Sequence, residues 1–224
     1  MHAADAQIAV HQRIAACGLL PVVALPHPSL GVPLAEVLRD TGLPCIEITF
    51  RTDGAVDAIA AIRASAPEIL VAAGTVTTVA QARDAIAAGA EVVLAPGTNP
   101  AVVETVLSAG IPMFPGVATP SEVEANRERG IRVMKLFPAE VLGGVRYLRA
   151  LHAPYPDVRF IPTGGVSEQN LADYLAAPNV IACGGSWIAS ADVLAAGSWV
   201  SIADTVRRAV AIVERSRSVP ETVA

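Results

Sequence analysis

Residues 45–75 read CIEITFRTDGAVDAIAAIRASAPEILVAAGT. Cys45–Thr49 alternates around two isoleucines and predicts a strand, and Leu70–Ala73 predicts another. Between them Asp53–Ala64 carries apolar residues three or four apart, the period of a helix. The same strand-then-helix alternation runs through the chain. Further strands are expected at Leu20–Leu25, Glu91–Leu94, Met113–Phe114, Arg132–Leu136, Arg159–Pro162 and Val180–Cys183. Further helices are expected at Thr78–Ala88, Pro100–Ala109, Ser121–Arg129, Gly144–Leu151 and Asn170–Leu175. Gly42, Gly89, Gly110 and Gly130 stand where a helix should end and turn towards the next strand. One helix over Ala4–Cys17 precedes the first strand, one near Ile202–Arg215 follows the last, and the tail after Ser216 should be loose. Eight such units in one chain predict an α/β fold, a single (β/α)₈ TIM barrel over residues 1–224 with an extra N-terminal helix. A doubly wound open sheet is the alternative, although it usually needs fewer strands.

Composition agrees with one large buried core. The 224 residues are 53% apolar but only 4% aromatic, so Ala, Val, Ile and Leu carry the interior. Net charge is −5, and no basic block interleaved with aromatics points to nucleic acid. The apolar run Gly18–Pro26 is broken by Pro21 and lacks the basic start of a signal peptide, and no segment has membrane-spanning length. Cys17, Cys45 and Cys183 are odd in number and form no CxxC pair, which reads as buried thiols in a reducing cytoplasm.

Active sites of such barrels lie at the C-terminal ends of the strands. Lys135 is there, inside the apolar run Val133-Met134-Lys135-Leu136-Phe137. If its face points inward, burial favours the neutral amine, a nucleophile. The competing readings are a lysine that snorkels to solvent and a buried ion pair. Glu47 bears on that choice. Strand alternation puts Cys45, Glu47 and Thr49 on one face and the two isoleucines on the other, towards the helices. Glu47 then faces the interior, on the second predicted strand, opposite Lys135 on the sixth. A buried pair contributes little to stability, so an amine and a carboxylate converging on one space favour imine chemistry. The loops after the last two strands carry Thr163-Gly164-Gly165 and Gly184-Gly185-Ser186, where backbone N–H groups can approach a phosphate. Arg51, just past the second strand, is suited to a carboxylate or is an ordinary solvated arginine. The four histidines, His2, His11, His27 and His152, are scattered, so no metal site is expected, and no nucleotide-binding glycine motif is present.

These segments resemble the class I aldolases that cleave 2-keto-3-deoxy-6-phosphogluconate, a family that includes 2-keto-4-hydroxyglutarate aldolases. The matching pieces are Ile46–Thr52, Ala73–Val76, Lys135-Leu136-Phe137-Pro138-Ala139-Glu140, Phe160–Val166 and Gly184-Gly185-Ser186-Trp187. The resemblance implies that Lys135 forms a Schiff base and that Glu47 is the general acid/base. It implies a pyruvyl carboxylate site at Arg51, Thr75, Pro96 and Phe137, and a phosphate site at Thr163, Gly164, Gly165, Gly184, Gly185 and Ser186. It further implies pyruvate and a phosphorylated 2-keto acid as ligands, a homotrimer, and no metal or cofactor. Many relatives carry a basic residue near the end of the first strand; here that stretch is Val22-Val23-Ala24-Leu25-Pro26-His27, with no arginine, and His27 is either a substitute or a loop residue. A phosphosugar isomerase would keep the phosphate loops without needing Lys135, and a non-catalytic barrel would tolerate its loss.

Overall fold

The computed structural model describes residues 3–218. Helix α1 (Ala3–Cys17) leads into strand β1 (Leu19–Val23), then helix α2 (Gly31–Asp40) and strand β2 (Cys45–Thr49). Next come α3 (Ala55–Ser65), β3 (Leu70–Gly74), α4 (Val79–Ala87), β4 (Val92–Leu94) and α5 (Pro100–Ser108). Two short strands, β5 (Met113–Phe114) and β6 (Gly116–Val117), flank Pro115 and are followed by α6 (Pro120–Glu128) and β7 (Val133–Leu136). The chain closes with α7 (Gly144–His152), β8 (Arg159–Pro162), α8 (Leu171–Leu175), β9 (Cys183–Gly185), α9 (Ala191–Ala195) and α10 (Trp199–Ser218).

The fold is α/β and every strand pairing is parallel. One sheet has the order β5-β4-β3-β2-β1-β9 and a second the order β6-β7-β8. Two isolated parallel bridges, Phe160↔Val180 and Thr163↔Gly184, tie β8 to the segment of β9. The 45–75 unit forms as its pattern predicts, with five consecutive partners from Cys45↔Leu70 to Thr49↔Gly74. On α3 the buried residues are Ala55, Ala58, Ile59 and Ile62, one face of a 3.6-residue period that packs on the strands. Thr78 and Thr119 close capping boxes with Gln81 and Glu122. Helix α1 crosses the N-terminal ends of the strands: Val10 and Ile14 are buried, and the His11 ring lies 5.2 Å from that of Phe114. Past the opposite, C-terminal ends of the strands, Arg51, Gly165 and Ser186 are exposed.

Several predicted boundaries move. Gly31–Asp40 is helical; it is not among the helices read from periodicity, although Gly42 reads as a helix end. Pro33 sits in the first turn, where its missing N–H costs nothing. The last strand forms at Cys183–Gly185 rather than Val180–Cys183, because pairing with Leu19–Pro21 of β1 overrides the weak strand preference of two glycines. Helix α10 runs on to Ser218, beyond the Ser216 at which the tail was expected to begin; residues 219–224, and His2, lie outside the described residues. All three cysteines are free, but Cys17 is only half-buried, unlike Cys45 and Cys183. Among the described residues no helix is long and apolar enough to cross a membrane.

Candidate active site

Lys135 is the only lysine of the chain. It occupies the third position of β7, and its side chain is 3% exposed. Its Nζ donates to Glu47 Oε1 at 3.0 Å, across 88 residues of sequence, and the Glu47 side chain is fully buried. The other carboxylate oxygen, Oε2, is buried without a protein partner. A buried polar atom left in this way is costly unless something else binds to it. The amine and the carboxylate therefore meet inside the fold, as the alternation of β2 and the apolar run of β7 predict.

The walls around the pair are built by close backbone approach. A Cβ on Gly74 would lie 2.1 Å from Glu47 Oε1, so the carboxylate lies directly on a strand position that only glycine can provide. A Cβ on Gly116, the register partner of Lys135, would lie 2.1 Å from the carbonyl of Pro96. The loop after β4 is thereby pressed against β6, the strand paired with the lysine strand, and Gly116 N–H donates to Gly97 O at 3.2 Å. Neither glycine was singled out by sequence pattern for this role. Their only signal is a small residue at a strand end, which a tight turn would also explain. The ring of Phe137 lies 5.9 Å from Nζ. Thr75, directly after Gly74, has φ +58°, the only non-glycine residue with positive φ among the described residues. For a β-branched residue that conformation is strained, and such strain clusters at functional sites.

The two glycine loops meet beside this centre. Thr163 is buried, and its side chain fills the space a Cβ on Gly184 would take, 2.2 Å from Thr163 Oγ1. Gly164 packs against the Phe137 ring. Gly165 and Ser186 are exposed at the rim. A Cβ on Gly185 would run into Trp187 and Leu19, at 2.5 and 2.9 Å. Arg51 is exposed just past β2, and among the described residues neither it nor Ser186 has a side-chain hydrogen bond to protein. His27 is exposed too, but its Nδ1 accepts from Ser29 N–H at 3.3 Å and caps a short 3₁₀ turn. It is engaged in local structure.

A buried amine paired with a carboxylate at the C-terminal end of a parallel α/β sheet defines a class of enzyme: a lyase that works through a lysine imine. Residues 10–205 match the family described as KDPG and KHG aldolase. This chain is 49% identical to the 2-dehydro-3-deoxy-phosphogluconate aldolase of Treponema pallidum (strain Nichols) over 189 residues, which is 84% of this chain and 90% of that one. Among solved structures, the KDPG aldolase of Legionella pneumophila, with pyruvate captured as a covalent carbinolamine, superposes with a TM-score of 0.85. The identity is 34%, over 88% of this chain and 96% of that one. The aldolase of Zymomonas mobilis ZM4 with 3-phosphoglycerate gives a TM-score of 0.84 at 29% identity, covering 92% and 97%. The chain belongs to the KDPG and KHG aldolase family.

Proposed function

We propose that this protein cleaves 2-keto-3-deoxy-6-phosphogluconate to pyruvate and glyceraldehyde 3-phosphate through a Schiff base on Lys135. The observation that carries the reading is the buried contact of 3.0 Å between Lys135 Nζ and Glu47 Oε1. Neutral Nζ adds to the C2 carbonyl, and loss of water gives an iminium ion. Glu47 takes the C4 hydroxyl proton, directly or through a water, as the C3–C4 bond breaks. The bonding pair flows into the iminium and leaves an enamine on the pyruvyl carbons, while the aldehyde departs. Protonation of C3 by the same carboxyl group restores the iminium, and hydrolysis releases pyruvate and the free amine.

The remaining residues divide between the two ends of the substrate. Arg51, Thr75 and the backbone at Pro96 and Phe137 take the pyruvyl carboxylate; the exposed guanidinium of Arg51 suits a bidentate contact. Thr163, Gly164, Gly165, Gly184, Gly185 and Ser186 take the phosphate, with backbone N–H groups as donors. The relative crystallised with 3-phosphoglycerate supports a phosphate end. In this reading the two sheets are one closed (β/α)₈ barrel, joined by Thr163↔Gly184 on one side and through Pro115 on the other. The active assembly is a homotrimer.

Borohydride reduction in the presence of pyruvate tests the mechanism. One pyruvyl-derived group should be fixed on Lys135, and trypsin should no longer cleave there. Lys135→Ala should take up none. Because the chain has no second lysine, label on the N-terminal amine, or no label at all, would refute the assignment.

A further inference from the structure

Tyr174 on α8 is fully buried, and its hydroxyl donates to Oε1 of Glu140. A phenylalanine would fill the same apolar volume, so the hydroxyl is there for its partner. Glu140 is exposed, five residues beyond Lys135, in the loop that follows β7. Its own N–H donates to Gly164 O at 3.0 Å, and the N–H of Ala139 donates to Thr163 O at 2.8 Å. The Glu140 side chain lies flat on Gly165: a Cβ there would be 2.3 Å from Glu140 Cγ. Asn170 completes the cluster. Its Nδ2 donates to Gly165 O at 3.0 Å and reaches Glu140 Oε1 at 3.5 Å, while its Oδ1 accepts from Ser167 N–H at 2.8 Å.

The Glu140 and Asn170 side chains thus lie on Gly165, with Tyr174 holding Glu140 from behind; Gly164 and Gly165 sit at φ +93° and +85°. Glycine pairs lose more conformational freedom on ordering than any other dipeptide. A loop of this kind presents fixed N–H groups only if its surroundings hold it. Burial first, and then the bond to Glu140, push the ionisation of Tyr174 far above the ordinary phenol range, so the hydroxyl remains a donor at neutral pH.

We propose that Glu140, anchored by the hydroxyl of Tyr174 and by Asn170, is a positioning residue that fixes the Gly164–Gly165 loop for the terminal phosphate of the substrate. The proposal rests on the phosphate site described above. It assigns the end of the lysine-strand loop a second task, holding the phosphate loop.

The test compares Tyr174→Phe, Glu140→Ala and Glu140→Gln with the parent on a phosphorylated 2-keto acid and its unphosphorylated counterpart, together with pyruvate methyl exchange. Tyr174→Phe and Glu140→Ala should lose about tenfold in kcat/KM on the phosphorylated substrate, mainly through KM, the scale of one charge-assisted hydrogen bond. Glu140→Gln keeps an oxygen acceptor for Tyr174 and should stay within about threefold of the parent. Pyruvate exchange should be unchanged in all three. Glu140 is exposed, so its variants keep the test open if Tyr174→Phe does not fold. A parent with no preference for phosphate removes the phosphate site and this inference with it. A parent with that preference, retained in full by Tyr174→Phe and Glu140→Ala, removes the inference alone. Equal losses on both substrates assign the cluster to stability and also overturn it.

Discussion

Gly74→Ala probes how tightly the site fixes Glu47. The added methyl would be 2.1 Å from Glu47 Oε1, 2.5 Å from its Cγ and 2.6 Å from its Cδ. Ordinary contact distances are about 3.5 Å, so the carboxylate must retreat by roughly 1 Å. The Lys135–Glu47 distance of 3.0 Å would then open beyond hydrogen-bonding range. Gly74 does not have positive φ, so alanine meets no backbone strain there. The stability cost is that of one overpacked methyl, about 1–3 kcal/mol, or roughly 2–12 °C in Tm for a chain of this length. The rate cost is larger, because a misplacement of about 1 Å at a reacting group is worth on the order of 10²-fold. The assay is exchange of the pyruvate methyl protons with deuterated water, followed by NMR, with borohydride trapping as the separate measure of imine formation. Gly74→Ala should slow exchange about 100-fold, and Glu47→Gln by roughly 10²–10⁴-fold, with imine formation less affected. Both changes act through one carboxylate, so the double variant should be no slower than Glu47→Gln alone. Normal exchange in folded Gly74→Ala, or losses that multiply in the double variant, would refute the reasoning.

The rim of the site gives two further tests. Ser186→Asp puts a carboxylate at an exposed rim position and should lower kcat/KM for the phosphorylated substrate at least tenfold or so by repulsion, sparing pyruvate exchange; equal loss on both substrates would count against the phosphate end. Gly185→Ala directs its methyl into Trp187 and Leu19, so it should lower Tm by roughly 2–12 °C; an unchanged Tm would contradict that packing. Among the thiols, hydrogen bonding to Cys45 draws the ionisation of Cys17 down, with Arg13 and Arg217 nearby and partial burial opposing. Cys45 and Cys183 are pushed well up, the first by its bond to Cys17 and by burial, the second by burial alone. Iodoacetamide at neutral pH should therefore modify Cys17 first in the native protein, and peptide mapping that finds Cys183 modified as fast would contradict this order.

The order of strands and helices was legible in the sequence because it rests on local periodicity. The alternation in Cys45–Thr49 and the 3.6-residue spacing in Asp53–Ala64 need no partner to be read. The same alternation turned Glu47 inward, and the apolar neighbours of Lys135 marked it as a buried amine. Where local preference and pairing disagree, the sequence misled: β9 forms on two glycines because β1 supplies the partner. The sequence by itself determined which residue types face the interior of each strand. Only the tertiary structure decided how near they come. Period fixes a side chain's face, whereas distance depends on how neighbouring strands are staggered and how closely their backbones approach. The 3.0 Å between Lys135 and Glu47 exists because Gly74 leaves no side chain in the way, and Gly185 turns towards Leu19 of β1 because its place in β9 points it there. Those are contacts between segments far apart in the chain, and no local pattern encodes them.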